Sequence, residues 1–205
     1  MCNLLQLEKI NTLSNTIKHH HFVLHKPYGY LSQLINNQNK RRNKRLLGEL
    51  FDFPEGTMAI GRLDENSEGL LLLTTNGKVS EEIRSAKYEK EYYAQVDGVI
   101  SPEAIKQLQE GVEIGINGKK YKTKPCKAKS ITNLDHIALA DRKVRDERHG
   151  PTSWLSITLT EGKFRQVRKM TAAVGFPTLR LVRVRIANIK LNCSVGEVYE
   201  VNNFH

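Results

Sequence analysis

Cysteines are few and far apart in this chain of 205 residues. Cys2, Cys126 and Cys193 form no CxxC pair, so the sequence indicates neither a disulfide framework nor a structural zinc site. Apolar runs of ~18 residues are missing, which argues against a membrane span. The N-terminal residues do not have the basic start and apolar core of a secretory signal. These absences predict a protein of the reducing cytoplasm with no membrane partner.

The motifs that hold common cofactors are absent as well. The sequence contains no P-loop, no glycine-rich dinucleotide fingerprint, no His/Cys metal cluster and no nucleophile elbow. The run His19, His20 and His21 is interpreted as an unstructured polar stretch and not as a metal site. If the protein is an enzyme, we therefore expect a reaction that needs no cofactor and no metal.

Positive charge is abundant. Lys and Arg number 32 against 22 Asp and Glu, which gives a net charge of +10 at pH 7. Such an excess indicates nucleic acid or another anionic surface as a partner. A basic, amide-rich run at 36–45 contains Lys40, Arg41 and Arg42. This run is either a solvated surface loop or a loop that contacts phosphates, and its composition does not separate the two interpretations.

Hydrophobic patterning predicts an α+β fold. The apolar segment Leu70–Thr75 is typical of a buried strand, and alternating polarity at 91–96 and 154–159 predicts two more strands. Ser101-Pro102-Glu103 has the residues of a helix start, and Gly111 ends that helix. Strands outnumber helices and short hairpins recur. We therefore expect a mixed, mostly antiparallel sheet with flanking helices and not a doubly wound fold.

A second helix is predicted over Lys163–Val174. Four of its positions share one side and are expected to pack against the core: Phe164, Val167, Thr171 and Val174. Arg165, Arg168 and Lys169 lie on the opposite side. That basic side is either solvated, or it gives Arg168 to a buried acid and leaves Arg165 and Lys169 for phosphates.

One polar loop places a carboxylate beside the predicted buried strand. Asp64 follows Arg62 by two residues, and Gly61 and Gly69 bracket the loop before four consecutive leucines. From the residues alone, Asp64 is either a reactive group on a rigid mount or an aspartate that caps a turn. A positioned carboxylate on a polycationic protein suggests chemistry on RNA. Isomerisation of uridine to pseudouridine fits, because it needs no cofactor and no redox change.

Several segments together resemble a known family. GRLDENSEGLLLLTTNG, KEYYAQV and EGKFRQVRKM occur in that order, and HKPYGYLSQL precedes them. These segments are similar to those of the RsuA-type pseudouridine synthases. Within that family, VRDERHGPTSWL and GFPTLRLVR resemble the RluE branch, which modifies 23S ribosomal RNA of the large subunit.

The resemblance implies the pseudouridine synthase fold, with a catalytic cleft in the middle of the sheet. Residues 1–20 are then expected to form a flexible arm without the S4 RNA-binding domain that many family members carry. Residues 21–205 would form the catalytic domain, with two sub-domains sharing one sheet. A monomer is the default expectation, and ribosomal RNA or a large-subunit assembly particle is the expected partner.

The resemblance also implies residue roles. Asp64 matches the catalytic carboxylate, and Arg168 matches the basic residue that pairs with it. Tyr92 matches the tyrosine that stacks on the target base, and Arg62 matches an arginine that enters the RNA stack when the uridine flips out. Two alternatives remain open: a non-catalytic RNA-binding or ribosome-assembly factor, and the same isomerisation on transfer RNA.

Overall fold

A mixed sheet of nine strands organises the chain in the computed structural model, which describes residues 18–35, 44–85 and 87–204. The strands are β1 His21–Lys26, β2 Tyr30–Leu31, β3 Arg45–Leu46, β4 Met58–Ala59, β5 Glu68–Thr74, β6 Lys90–Asp97, β7 Glu113–Ile116, β8 Lys119–Lys122, β9 Lys127–Ile131, β10 Thr152–Leu159, β11 Thr178–Ile186, β12 Ile189–Lys190 and β13 Val198–Val201. The described helices are α1 Gly77–Arg84, α2 Pro102–Glu110 and α3 Gln166–Ala173.

The strand order is β13-β1-β5-β11-β6-β10-β9, with β4 paired to β5 and β12 paired to β11. Every pairing in this sheet is antiparallel except that between β5 and β11. β7 and β8 form a separate hairpin, and β2 pairs with β3. The predicted α+β fold with a mixed, mostly antiparallel sheet is therefore confirmed. The division into two sub-domains stays a prediction.

Strand β5 lies near the centre of the sheet, and all seven of its residues are buried. Its parallel pairing with β11 needs a glycine at the entrance. A Cβ on Gly69 would lie 2.3 Å from the carbonyl oxygen of Arg183, and Gly69 has φ +102°. Any side chain here would push β11 away. The polar loop that carries Asp64 is thus fixed at its end to the centre of the sheet.

The alternation predicted for the strands is confirmed. On one face of the sheet, side chains of β6, β10 and β11 pack against Leu108 of α2 and Met170 of α3. The strand residues are Ala94, Val96, Leu155, Ile157 and Leu181. The other face buries a second set: Val23, Leu70, Leu72, Val182, Val184 and Ile186. Helix α2 begins as predicted, because Ser101 Oγ accepts a hydrogen bond from Ala104 N at 3.2 Å.

Helix α3 begins later than predicted, and one expected core residue is exposed. Lys163 N donates to Gln166 Oε1 at 3.0 Å, and Arg165 takes a left-handed backbone conformation with φ +51°. This turn directs Phe164 outward, and it is 66% exposed. The prediction that Phe164 packs in the core was wrong. The predicted core positions Val167 and Thr171 are buried, Val174 packs against the core, and Gln166 and Met170 are buried as well.

Two further predictions are corrected or fall outside the described residues. His21 begins β1 and is buried, with Nδ1 2.9 Å from Thr74 Oγ1, so the histidine run is not unstructured at its end. Most of the predicted N-terminal arm and the run with Lys40, Arg41 and Arg42 lie outside the described residues. Among the helices that the structure describes, none combines the length and apolar character needed to cross a membrane.

Candidate active site

The loop from Gly61 to Ser67 is held in place by backbone hydrogen bonds on both sides. Ser67 N donates to Asp64 O at 3.0 Å, which closes a turn around the carboxylate residue. Ser32 Oγ donates to Leu63 O at 2.8 Å and accepts from Leu63 N at 3.0 Å. Gly29 N donates to Glu65 O at 2.9 Å. Gly29 in the β1–β2 connection and Ser32 directly after β2 therefore fix the backbone that carries Asp64.

A buried lysine supports the same loop from beneath. Lys26 is fully buried, and its Nζ donates to Tyr30 O at 2.6 Å, Pro27 O at 2.8 Å and Glu65 O at 3.4 Å. Burial lowers the pKa of Lys26 to about 8, while the nearby carboxylates, Glu68 first among them, oppose that shift. Sequence reasoning missed this residue, although its position directly before Pro27 marks the end of β1.

Two arginines approach the Asp64 carboxylate. Arg165 Nη1 donates to Asp64 Oδ2 at 3.1 Å, whereas Arg168 Nε lies 3.9 Å from the same oxygen. The expected partner, Arg168, is therefore the more distant of the two. Arg165, for which a phosphate contact was predicted, makes the direct hydrogen bond. The left-handed backbone of Arg165 turns its side chain toward the loop and not along the outer face of α3.

Arg168 lies deeper and braces the backbone of the Asp64 loop. Its Nη2 donates to Asn66 O at 2.7 Å and to Ser67 Oγ at 3.3 Å, and its Nη1 donates to Thr178 O at 3.3 Å. Burial, with a smaller contribution from the Arg165 charge, lowers the pKa of Arg168, but a guanidinium stays protonated at neutral pH. Arg168 thus ties the loop to the start of β11.

A cavity of about 290 Å³ opens beside Asp64. Asp64, Arg62, Tyr92 and Arg165 all line it. Its apolar wall consists of side chains from the loop, β10, α3 and β11: Leu63, Leu159, Val167, Leu181 and Ile186. The volume is near the lower end of the range for small-molecule sites, about 300 Å³, which suits one nucleotide base better than a larger ligand.

The predicted residues divide into three groups. Asp64, Tyr92, Arg62 and Arg165 share the cavity, while Arg168 stands behind Asp64. Lys169 is directed elsewhere, because its Nζ donates to Gly115 O at 2.7 Å in the β7–β8 hairpin. The predicted contact of Lys169 with phosphate stays a prediction.

Five charged residues that sequence reasoning did not assign to a site also line the cavity: Arg84, Lys90, Glu161, Lys163 and Arg183. Glu161 is buried and accepts hydrogen bonds from Tyr121 Oη, from Lys124 N at 2.9 Å and from Gln166 Nε2 at 2.8 Å. These bonds hold the turn that presents Arg165. The position of Glu161 directly before Gly162 in a turn was the sequence signal for this role. Two of its three hydrogen-bond partners, Tyr121 and Lys124, lie far from it in the sequence.

Among the described residues, no group of three or more His, Cys, Asp or Glu side chains is arranged to hold a metal ion. The cavity instead combines one partly exposed carboxylate, cationic side chains, a tyrosine ring and an apolar wall. A planar uncharged base fits the ring and the apolar wall, and phosphates fit the arginines. The arrangement can therefore bring a carboxylate to a nucleotide whose base is enclosed.

Comparisons with known proteins identify the family of the chain. The family model described as RNA pseudouridylate synthase matches residues 20–173. A protein named ribosomal large subunit pseudouridine synthase E from Xanthomonas axonopodis pv. citri is 40% identical over 172 residues, covering 83% of this chain and 87% of that protein. Its namesake from Vibrio parahaemolyticus is 38% identical, covering 82% and 68% respectively. The chain belongs to the RNA pseudouridylate synthase family, and the predicted likeness to the RluE branch is confirmed.

Solved structures share the fold. A chain described as a pseudouridylate synthase superposes with a TM-score of 0.68 at 27% identity, covering 89% of this chain and 70% of that chain. A chain of the archaeal box H/ACA sRNP Nop10–Cbf5 complex superposes with a TM-score of 0.51 at 16% identity, covering 85% of this chain and 49% of that chain. The second likeness shows the fold alone.

Proposed function

We propose that this protein converts a uridine of large-subunit ribosomal RNA to pseudouridine, with Asp64 as the catalytic carboxylate. The observation that carries the proposal is the placement of Asp64 in the cavity with Tyr92 and Arg165. The other carboxylate there, Glu161, is engaged by three donors and is buried. Asp64 keeps 25% of its side chain exposed and is the acid that an incoming nucleotide can reach.

The reaction breaks the N1–C1′ bond of uridine and forms a C5–C1′ bond; the hydrogen on C5 leaves as a proton, and N1 takes up a proton. A uridine within a helix must first be extruded, at a cost of a few kcal/mol. Arg62 is exposed at the edge of the cavity, where its planar guanidinium can fill the vacated position in the stack. Asp64 can then attack the nucleotide or stabilise the charge that develops on the sugar.

The detached uracil must rotate without leaving the site. Tyr92 presents an aromatic ring to the cavity, and stacking of a base on such a ring is worth ~1–3 kcal/mol. The apolar wall next to it excludes water and favours recapture of the base. The reaction consumes no redox equivalent and no phosphate energy, so these residues supply the chemistry without a cofactor.

Arg165 covers the carboxylate in the free protein. Its hydrogen bond to Asp64 is 3.1 Å long, and 38% of its side chain is exposed. A phosphate of the bound RNA is a stronger partner for a guanidinium than a half-exposed carboxylate is, because it offers more acceptor oxygens. We expect RNA binding to draw Arg165 off Asp64 while Arg168 keeps the loop in place.

The choice of large-subunit ribosomal RNA rests on the relatives that carry this activity in their names. The net charge of +10 supports a polyanionic substrate without identifying it.

Tritium release tests the reaction. Large-subunit rRNA fragments carrying tritium at uracil C5 are incubated with the native chain, with small-subunit rRNA and transfer RNA as parallel substrates. The C5 hydrogen is lost when C5 becomes the glycosidic atom, so release from the large-subunit fragments supports the proposal. Release from transfer RNA alone would reassign the substrate. Tight binding of all three RNAs without release would favour a non-catalytic RNA-binding or assembly factor.

A further inference from the structure

A phenylalanine stands in solvent beside the cavity with no core to pack against. Phe164 is 66% exposed, and its two chain neighbours, Lys163 and Arg165, both line the cavity. Phe164 therefore lies at the rim. An aromatic ring gains most from burial, so an exposed one next to a site calls for a binding partner as its explanation.

The position of Phe164 is built by the turn before α3. Gln166 Nε2 donates to Glu161 Oε2 at 2.8 Å, and Gln166 Oε1 accepts from Lys163 N at 3.0 Å. Arg165 completes the turn in the left-handed region. The same network that turns Arg165 toward Asp64 thus turns Phe164 away from the sheet. The hydrogen bonds that place Arg165 beside Asp64 therefore also expose the Phe164 ring.

One cation is already placed against the ring. Lys169 Nζ lies 5.2 Å from the centroid of the Phe164 ring and donates to Gly115 O at 2.7 Å. The lysine is therefore fixed between α3 and the β7–β8 hairpin. Much of the ring surface remains open to solvent and is available for stacking.

The neighbouring β7–β8 hairpin adds a second contact between a lysine and an aromatic ring. Lys163 Nζ lies 4.9 Å from the centroid of the Tyr121 ring on β8. Lys119 is exposed and shares the Tyr121 face of the hairpin, whereas Lys120 and Lys122 point to the opposite face. Lys120 pairs with Glu113 at 2.9 Å on the surface of the hairpin. Lys163, Phe164, Lys169 and Lys119 form what we call the Phe164 platform.

We propose that the Phe164 platform binds an unpaired stretch of the substrate RNA, with one base adjoining the target uridine stacked on Phe164 and the lysines on its phosphates. Aromatic rings interleaved with cations are the arrangement that single-stranded nucleic acid selects. A polyanion complements this charge, whereas an acidic protein would leave the ring without a planar partner. This inference rests on the proposed function, because it extends the substrate from the same cavity.

Binding of a labelled single-stranded oligouridylate tests the platform. Phe164→Ala is expected to raise the Kd roughly 5- to 100-fold, which corresponds to the loss of one stacked base. The slope of log Kd against log salt is expected to stay unchanged, because no charge is removed. Phe164→Trp is expected to restore affinity, and its fluorescence should be quenched when the oligonucleotide binds.

Two matched variants complete the design. Val99→Ala alters a residue with the same 66% exposure that lies beyond the far end of β6, and its Kd should equal that of the native chain. Lys119→Gln should reduce the salt slope by roughly one while leaving Trp quenching in Phe164→Trp intact.

The outcomes separate this inference from the proposed function. Tritium release by the native chain, together with an unchanged Kd and unchanged KM for Phe164→Ala, would overturn the platform and leave the isomerase intact. An equal loss of affinity in Val99→Ala would overturn it too, since the effect would not be local. Absence of tritium release with a weakened Phe164→Ala would support the platform and contradict the isomerase.

Discussion

Asp64 lies on the loop before β5, and Glu68, four residues later, is the first residue of that strand. The two carboxylates differ in burial and in their hydrogen-bond partners. Glu68 is 1% exposed and accepts two hydrogen bonds of 2.8 Å from Arg180, with Arg142 Nη2 at 3.4 Å. Asp64 is 25% exposed and accepts one bond of 3.1 Å from Arg165. One acid is enclosed by a bidentate partner, and the other faces a cavity.

The difference follows from where each residue sits on the sheet. Glu68 is the first residue of β5, and Arg180 stands on the parallel strand β11, so their ion pair spans the central pairing. Arg180 Nη2 also donates to Ala140 O at 3.0 Å and ties in a long loop. Asp64 precedes the strand, so its side chain is free of the sheet. Of two similar acids on one segment, one is thus held in a buried ion pair, and the other is the acid for which we propose a catalytic role.

The largest expected effect is on the buried acid. Glu68→Gln leaves the Arg180 guanidinium buried without its counter-charge, so the free energy of unfolding should fall by about 3–5 kcal/mol. Urea unfolding measures it. Asp64→Asn is the matched control and should change stability by less than ~1 kcal/mol, because its ion pair is half-exposed. Equal losses in both variants would erase the distinction between the two carboxylates.

Arg168→Ala should affect both stability and turnover. It removes a donor to the exposed Asn66 O and one to the half-buried Thr178 O, and each lost hydrogen bond should cost roughly 0.5–1.5 kcal/mol because water can reach the acceptors. The loop then holds Asp64 less firmly, and tritium release should fall with little change in RNA affinity. Arg168→Lys keeps the positive charge but lacks the forked guanidinium group. It should therefore recover only part of the lost stability and tritium release. A fully stable and active Arg168→Ala variant would show that Arg168 is not needed to hold the Asp64 loop in place.

Lys26 gives a pH dependence beneath the same loop. Its folded pKa of about 8 lies below the ordinary 10.5, so the unfolded chain binds more protons between these values. Stability therefore rises with pH in that window through this group. From pH 7 to about pH 9, the free energy of unfolding of the native chain should increase by about 1 kcal/mol relative to Lys26→Met. A constant difference across that range would contradict the lowered pKa.

The smallest expected effect on stability comes from Arg165→Ala, because an ion pair this exposed contributes less than ~1 kcal/mol. Its slope of log Kd for RNA against log salt should decrease by about one, since one phosphate contact is lost. Arg165→Gly is the matched variant, as glycine accepts the left-handed backbone without strain. An unchanged slope in both variants would show that Arg165 stays on Asp64 when RNA binds.

Much of the fold could be predicted from local patterns. The alternation in β6 and β10 and the four leucines of β5 reflect burial on one or both faces of the sheet. Such burial can be predicted from the order of neighbouring residues in the sequence. The start of α3 is different. Phe164 fits a helical stripe, but Glu161, with donors from the distant β7–β8 hairpin, fixes a turn that ends the stripe.

The candidate site divides along the same line. The placement of Asp64, Arg62 and Tyr92 around one cavity could be predicted because motif and resemblance point to single positions, while their roles stay predictions. The order of Arg165 and Arg168 around Asp64 could not, because spacing along an assumed helix does not reveal a left-handed residue at its start. Lys26 escaped notice for a related reason, since a buried lysine is recognised only by the carbonyls that surround it.

The most direct test compares Asp64→Asn with Glu68→Gln in one single-turnover experiment. Each variant is held at a temperature where it is folded and is saturated with the same tritiated large-subunit rRNA fragment. We predict no release from the Asp64→Asn complex and release near the native rate from the Glu68→Gln complex. Release by Asp64→Asn within about tenfold of the native rate, a barrier change of only ~1.4 kcal/mol, would contradict a catalytic role for this carboxylate.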